Sequence, residues 1–309
     1  MNINLSNIKK AVKYLNKNEC IGIPTETVYG LAANAYSDKA TDKIFELKKR
    51  PRKNPLIVHY YNLKDLKNDC KIDSQFLSLY SKFCPGPITF VLELKEKSKI
   101  SNNVTNNKNT IAVRFPKHKI ARKLLKNLNF PLAAPSANIS KSISAVCKTD
   151  VIEEFGNKIK FVLDGGKSKE GLESTIVNLV GNQKILRLGS LDRGKIEKYL
   201  IKKRTNKKKD IVMPGQGRIH YSPGLPIRLN IKRPKKFEAF LLISKRIKSN
   251  KNFFYLSKNK NLKEVAKNLY KTLRKVKKIG FKQISIEKIP NRGIGEAIND
   301  RLLRAAVKK

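Results

Sequence analysis

Apolar and polar positions alternate along the chain in the two periods that distinguish strands from helices. Residues 38–49, 74–83 and 192–201 carry apolar side chains at helical spacing and predict helices. Short apolar runs between and around them predict strands. The main runs lie at 20–23, 55–61, 88–94, 110–115, 132–134, 160–163, 174–180 and 185–188. Strands that alternate with helices predict an α/β fold for a first domain over 1–203.

A second α/β pattern follows a stretch that is poor in core residues. Residues 202–210 are charged and residues 213–224 are rich in Pro and Gly, so we predict a linker over 204–230. The remaining chain, 231–309, predicts a small parallel α/β domain. Its predicted strands lie at 239–244, 253–256 and 283–286, and its helices at 262–279 and 295–307, with Gly280 closing the first helix.

Residues 24–31 (PTETVYGL) follow the first predicted strand and carry little that would pack in a core. Pro24 lacks a backbone donor and should end the strand, while Gly30 permits a sharp turn or a close approach to a ligand. Strand ends of this kind bind ligands in open α/β sheets. An ordinary strand-to-helix turn is the alternative interpretation of this segment alone.

Polar side chains recur beside the ends of five predicted strands: Thr27, Arg114, Ser136, Ser174 and Arg187. Arg114 stands inside an apolar strand, where an arginine is rarely buried without an anionic partner. Together the five predict one cavity for an anionic ligand larger than a single phosphate.

A net charge of +44, from 68 Lys and Arg against 24 Asp and Glu, admits a second class of function, a non-catalytic RNA-binding module. Such a module should show clustered Arg with interleaved aromatic residues. Here Lys is spread along the chain and Trp is absent. The pattern favours an enzyme, with weak, salt-sensitive affinity for tRNA or other RNA as an added expectation.

Several other classes are excluded by missing signals. The chain has neither a GxxxxGK[ST] phosphate loop nor a GxGxxG turn, and it has no nucleophile elbow. It also lacks zinc-ligand spacing, so no metal site in the protein itself is predicted. Cys20, Cys70, Cys84 and Cys147 are predicted to be buried free thiols. No apolar run reaches the ~20 residues of a membrane span, and residues 1–10 lack the apolar segment of a signal peptide. We therefore expect a cytoplasmic protein without a membrane partner.

The motifs, taken in order, resemble the threonylcarbamoyl-AMP synthase family in its long, two-domain form. Residues 220–223 (HYSP) and 293–306 resemble the linker and C-terminal domain of that form. The resemblance implies an N-terminal YrdC-like twisted mixed sheet flanked by helices and a small C-terminal Rossmann-like domain. The motifs are PTETVYGL at 24–31, KKRPRKNPLIVH at 48–59, PGPITFVL at 85–92, AVRFP at 112–116, PSANIS at 135–140, GLESTIV at 171–177 and RLG at 187–189.

The resemblance also implies a nucleotidyltransferase reaction. L-threonine, bicarbonate (or CO₂) and ATP would give L-threonylcarbamoyladenylate and pyrophosphate, with Mg²⁺ arriving on ATP. A separate tRNA threonylcarbamoyltransferase would then modify the adenosine beside the anticodon. The implied L-threonine contacts are Thr27, His59, Arg114, Ser174 and the backbone at Ala134. The implied ATP contacts are Lys48, Arg50, Asn54, Thr110, Ser136, Ser144, Arg187 and Tyr221, with Lys48 and Arg50 as the catalytic cations.

The chemistry of the side chains agrees with this division. Arg114 suits a carboxylate because guanidinium and carboxylate pair in a bidentate way. Lys48 and Arg50 suit the charge that develops at the α-phosphorus and on pyrophosphate. A related carbamoyl-adenylate domain of hydrogenase maturation is a further alternative, but those chains are longer and carry cysteine spacings that are missing here.

Two departures from the family pattern affect the site. Lys141 stands where the family usually has Gly, and Ser144-Ala145-Val146 replaces Ser-Pro-Thr, so the geometry of the loop that carries Ser144 is in question. The linker has an unusually glycine-rich segment at 215–217. We predict that the linker closes over the active site and shields the adenylate from water. The basic helix 262–279 could dock a partner or tRNA, or could present a solvated face.

Overall fold

The computed structural model describes residues 4–201, 221–247 and 250–306, and these form two sheets flanked by helices. The first sheet is mixed, in the order β1-β2-β6-β3-β5-β4-β7-β8. Its strands are β1 (Ile21–Ile23), β2 (Gly30–Asn34), β3 (Ile57–His59), β4 (Ile88–Glu93), β5 (Thr110–Arg114), β6 (Leu132–Ala133), β7 (Thr175–Asn178) and β8 (Lys184–Arg187).

Helices cover the first sheet and complete the second domain. The helices of the described residues are α1 (Leu5–Asn16), α2 (Asp38–Lys48), α3 (Leu63–Asp69), α4 (Ser74–Phe83), α5 (Asn102–Thr105), α6 (Lys119–Lys126), α7 (Lys148–Phe155), α8 (Arg193–Glu197), α9 (Leu262–Ile279) and α10 (Ile294–Ala306). None of these helices is both long and apolar enough to cross a membrane. All four cysteines are free thiols, but Cys84 and Cys147 are only partly buried, so the prediction of burial was wrong for those two.

The second sheet is parallel throughout its described strands, as the sequence predicted, in the order β11-β10-β12-β9. It contains β9 (Ile227–Arg228), β10 (Ala239–Leu242), β11 (Phe253–Tyr255) and β12 (Ile284–Ile286). Strand β9 lies in the range that we predicted as linker. It belongs to the second sheet, where its Ile227 pairs with Ile284 of β12. The predicted linker segment 202–210 and the glycine-rich residues 215–217 lie outside the described residues.

The segment 24–31 connects two strands rather than a strand and a helix. Gly30 begins β2, which pairs antiparallel with β1 through Ile23. The interpretation as a strand-to-helix turn was therefore wrong. The predicted strand 160–163 was also wrong in extent, since only an isolated bridge between Val162 and Gly22 is present.

One apolar cluster contains residues of both domains. The core of the second sheet includes Val28, Ile143, Val146 and Leu172 from the first domain. Gly171, at a φ of +72°, lies so close to α9 that a Cβ there would stand 2.6 Å from a backbone atom of the helix. The glycine of the GLESTIV motif thus allows the first domain to touch the second.

Candidate active site

A cavity of about 540 Å³, counting its open mouth, lies over one face of the first sheet. His59 on β3 and Arg114 on β5 are register partners in a parallel pair, so their side chains project from this face together. The lining residues are Thr25, Thr27, Val28, Tyr29, Gly30, Arg50, Ile57, His59, Arg114, Ala134, Pro135, Ser136, Glu173, Ser174, Arg187 and Tyr221. The five residues predicted from strand ends are all among them.

The cavity lies where several strand ends come together, since β3 ends at His59, β5 at Arg114 and β8 at Arg187. Strand β6 runs antiparallel to both β2 and β3, so the carboxyl ends of these strands do not meet at one edge. Instead the loop after β6 returns across the sheet, where Ala134 donates its N–H to the carbonyl of Ile57. The cavity therefore joins these strand ends to the loop that follows β6.

The wall formed by residues 24–31 is fixed by backbone hydrogen bonds to the PSANIS segment. The backbone carbonyl of Tyr29 accepts a hydrogen bond from the amide N–H of Ala137 at 2.7 Å. The amide N–H of Leu31 donates to the carbonyl of Pro135 at 2.9 Å. The hydroxyl oxygens of Thr25 and Thr27 lie 2.9 Å apart and are both buried. Two motifs that are distant in sequence thus form one rigid wall of the cavity.

Arg114 has the anionic partner that its burial requires. Its Nη2 lies 2.7 Å from Oε1 of Glu26, and both side chains are buried. Glu26 also accepts from the backbone N–H of Lys117. In the described part of the chain, however, Nε of Arg114 and both ring nitrogens of His59 have no hydrogen-bond partner. Buried polar atoms are rarely left unpaired, so these atoms mark where a polar ligand would bind.

His59 is electrically neutral in this environment. Burial, followed by the positive charge of Arg114, holds the pKa of His59 well below its usual range. A neutral imidazole can donate from one nitrogen and accept at the other. His59 can therefore orient a ligand that Arg114 binds by charge.

Arg50 and Arg187 form the other end of the cavity. Arg187 is buried and donates from Nη2 and Nε to the carbonyl of Ser174, at 2.9 and 3.2 Å. Desolvation, followed by the charge of Arg187, lowers the pKa of Arg50 to about 10, which leaves it protonated at neutral pH. Two cations that repel each other in a desolvated site are suited to a polyanion such as a chain of phosphates.

Lys48 does not line this cavity, although we predicted it beside the phosphates. It is 1% exposed, and its ammonium donates to the carbonyl of Ser136 at 2.5 Å and to that of Asn138. Burial, followed by the charge of Arg50, holds the pKa of Lys48 well below its usual range. Its geometry is that of a support beneath the PSANIS turn.

Three other predicted ATP residues also lie outside the lining. Asn54 accepts from Arg50 through its backbone carbonyl at 3.2 Å, and the Ser144 hydroxyl donates to Glu173 at 2.6 Å, so both touch residues that line the cavity. Thr110 begins β5, about 13 Å along the strand from Arg114. It shares the cavity's face of the sheet but lies beyond Ala112, which belongs to an apolar patch with Ile57, Val91 and Ile176.

The departure at Lys141 has a structural consequence. Lys141 adopts a φ of +76°, in the left-handed region that glycine adopts without cost. The backbone turns here so that the amide of Ser222 can donate to the carbonyl of Lys141 at 2.8 Å. The loop thus accommodates the lysine at a left-handed φ, and Ser144 is buried.

Nothing in the described lining suits a protein-held metal ion. Among the described lining residues, the carboxylate belongs to Glu173. Its two oxygens already accept hydrogen bonds from Ser144, Tyr270 and Arg301. No group of three or more His, Cys, Asp or Glu side chains in the described ranges could hold a metal.

Sequence reasoning did not assign Glu173, Tyr270 or Arg301 to the site. A signal for Arg301 was present, since it occupies the apolar side of α10 together with Ile298, Leu302 and Ala305. A charged residue at such a position needs a buried partner.

Comparisons with known proteins agree with the motifs. Residues 13–189 match the family model described as telomere recombination, and residues 184–307 match the model for the C-terminal domain of threonylcarbamoyl-AMP synthase. The chain is 34% identical to the threonylcarbamoyl-AMP synthase of Pyrococcus abyssi, over 97% of this chain and 94% of that protein. It is 31% identical to the synthase of Bacillus subtilis, over 97% and 92%. The crystal structure of P. abyssi Sua5 complexed with L-threonine superposes with a TM-score of 0.89 at 33% identity, covering 99% of this chain and 96% of that chain.

Proposed function

The chain belongs to the threonylcarbamoyl-AMP synthase family, and we propose that it makes L-threonylcarbamoyladenylate and pyrophosphate from L-threonine, bicarbonate and ATP. One structural observation supports this activity in addition to the family match. A single cavity joins unpaired polar atoms of Arg114 and His59 at one end to the cations Arg50 and Arg187 at the other. This arrangement suits an amino acid beside a polyphosphate.

The amino-acid end is formed by Arg114, His59, Thr27 and Ser174. Nε of Arg114 would donate to the carboxylate of threonine, while Glu26 keeps the guanidinium fixed from behind. Neutral His59 would accept from or donate to the polar groups of threonine without adding charge. The Thr27 and Ser174 hydroxyls and the backbone at Ala134 would complete the fit around a small, polar side chain.

The nucleotide end is formed by Arg50, Arg187, Ser136 and Tyr221. In the proposed sequence, the threonine amine first attacks the carbon of bicarbonate and water leaves, which gives a carbamate, and a carbamate oxygen then attacks the α-phosphorus of ATP. The bond from the α-phosphorus to the bridging oxygen breaks, and pyrophosphate leaves with the electron pair. Arg50 and Arg187 would stabilise the charge that develops on the phosphate oxygens, so catalysis would act by positioning and electrostatics.

Magnesium would enter as the ATP complex and neutralise phosphate charge, with phosphate oxygens as its main ligands. Tyr221 lines the cavity and is 2% exposed, so its ring would limit the access of water to the mixed anhydride. The product would pass to a tRNA threonylcarbamoyltransferase. The net charge of +44 supports a weak, salt-dependent affinity for tRNA in addition.

The proposal is tested by pyrophosphate release from MgATP with the purified full-length chain, with and without L-threonine and bicarbonate. We expect release to need both co-substrates and to collapse in Arg50→Ala. Mass spectrometry of the product should show the threonylcarbamoyl adenylate. Absence of threonine-dependent release, together with tight, salt-sensitive tRNA binding, would instead indicate a non-catalytic binding protein.

A further inference from the structure

Glu173 lines the cavity and is hydrogen-bonded by side chains of both domains. It accepts hydrogen bonds from Ser144 of the first domain at 2.6 Å, from the Tyr270 hydroxyl on α9 at 3.0 and 3.1 Å, and from Nε of Arg301 on α10 at 2.9 Å. Burial alone would raise the pKa of Glu173, but Arg301 and Arg187 lower it to about 2. The carboxylate is thus ionised at neutral pH beside the nucleotide end.

Arg301 is itself committed on every nitrogen. Besides Glu173, it donates from Nη2 to the carbonyl of Leu188 at 2.7 Å and from Nη1 to Asp300 at 2.6 Å. It is 1% exposed. Leu188 directly follows Arg187, so the same guanidinium fixes both the carboxylate of Glu173 and the backbone next to the cavity's arginine.

Arg301 and Tyr270 also support Tyr221. The Arg301 guanidinium carbon lies 4.9 Å from the centre of the Tyr221 ring, and the rings of Tyr221 and Tyr270 stack at 6.0 Å and 16°. Tyr221 holds a φ of +65°, which a non-glycine residue keeps only where its surroundings fix it. The C-terminal helices supply those surroundings.

Glu173 has two arginines within electrostatic reach, yet it pairs with only one of them. Arg187 bears on its charge, but the hydrogen bonds of Arg187 go to the carbonyl and hydroxyl of Ser174. Removal of Arg301 would leave a buried carboxylate without its cation, and Arg187 is the nearest replacement. A pair between Arg187 and Glu173 would take a cation away from the phosphates.

From these contacts we propose that Arg301 is a positioning residue of the nucleotide site: it occupies Glu173, keeps Arg187 available for phosphate and supports the ring of Tyr221. This inference rests on the proposed function and extends it, because it makes the C-terminal domain part of the catalytic machinery. Arg301 does not line the cavity, so its action on ATP is indirect.

The test compares the Michaelis constants for ATP and for L-threonine in full-length variants, at a temperature where each is folded by circular dichroism. In Arg301→Met we expect the KM for ATP to rise about tenfold, because the loss of Arg187 from the phosphates removes about one charge-assisted hydrogen bond. The KM for threonine should change less than about twofold. The double variant Glu173→Gln/Arg301→Met should recover most of the ATP affinity, because Arg187 then has no carboxylate to pair with. A matched control is Arg304→Met, one turn along α10, which should leave both constants unchanged.

Equal rises in both constants, or a double variant that is no better than Arg301→Met, would overturn the inference. Should Arg301→Met not fold, Arg301→Gln keeps an amide donor for the Leu188 carbonyl and removes the charge, and it should raise the ATP constant alone. An unchanged ATP constant in that folded variant would also overturn it. A wild-type chain that forms no adenylate contradicts the proposed function, whereas normal kinetics in the Arg301 variants contradict only this inference.

Discussion

Arg114 and Glu26 form an ion pair of 2.7 Å inside the cavity wall, and both side chains are at most 6% exposed. The pair orients Arg114 so that Nε remains without a partner in the described chain. A guanidinium can serve an internal carboxylate and a ligand carboxylate at once because it has five donors in a planar fork. An ammonium has no such geometry.

Arg114→Lys should therefore weaken threonine binding selectively. Glu26 would capture the lysine ammonium, and the threonine carboxylate would lose its partner, at a cost of about 2 kcal/mol or roughly thirtyfold in KM. Steady-state pyrophosphate release at saturating ATP measures this constant. A parallel loss of ATP affinity would show that Arg114 acts on the whole cavity rather than on threonine.

His59 should make the folded state less stable in mild acid. Its pKa is depressed in the fold by burial and by Arg114, so the unfolded chain binds a proton that the folded chain does not. Stability should consequently fall as the pH drops below the unfolded value of ~6.5, by about 1.4 kcal/mol between pH 7.5 and 5.5. Thermal or urea unfolding at both pH values measures the difference.

His59→Gln is the variant for comparison, and its stability should fall by about 1.4 kcal/mol less over the same interval. The comparison must be a difference between the two proteins, since the pKa of His118 is also lowered by burial and acts in the same direction. Identical pH profiles would mean that His59 is charged, or solvated, in the folded protein.

Substitution of Lys48 distinguishes a structural role of this residue from a catalytic one. Its ammonium donates to the carbonyls of Ser136 and Asn138, so Lys48→Met should lower the free energy of unfolding by about 2–3 kcal/mol and reduce kcat through a looser PSANIS turn. Lys49→Met is a matched control, because Lys49 is the exposed neighbour that follows α2. A variant of Lys48 with wild-type stability and low kcat would show instead that the ammonium acts on the phosphates.

The sequence predicted the strand-end residues of the cavity but not the way in which the strands pair. Strand-end residues such as Thr27 and Ser174 could be found because polar groups interrupt apolar runs. The antiparallel course of β2 and β6 could not be found, because it depends on pairings between distant strands. The amphipathic helix α9 matched its prediction because its pattern is long and Gly280 ends it at a φ of +98°.

The partners of buried charges could likewise not be predicted from the sequence. The apolar setting of Arg114 showed that it needs an anion, yet nothing in the chain indicated Glu26, 88 positions away. Arg301 carried a comparable signal on α10, but its partner Glu173 is 128 positions away. A single sequence shows which charges must be paired, and only the fold shows with which residue.

Lys141 tests whether a departure from the family pattern reduces stability. Its φ of +76° costs a non-glycine residue about 1–2 kcal/mol relative to glycine. Glycine offsets part of this gain by its greater freedom in the unfolded chain, so Lys141→Gly should raise the free energy of unfolding by about 0.5–1 kcal/mol. Lys141→Ala removes the same side chain without relieving the backbone and should give no gain. Urea unfolding of the three proteins distinguishes the cases, and equal stabilities for the glycine and alanine variants would mean that the left-handed turn carries no strain.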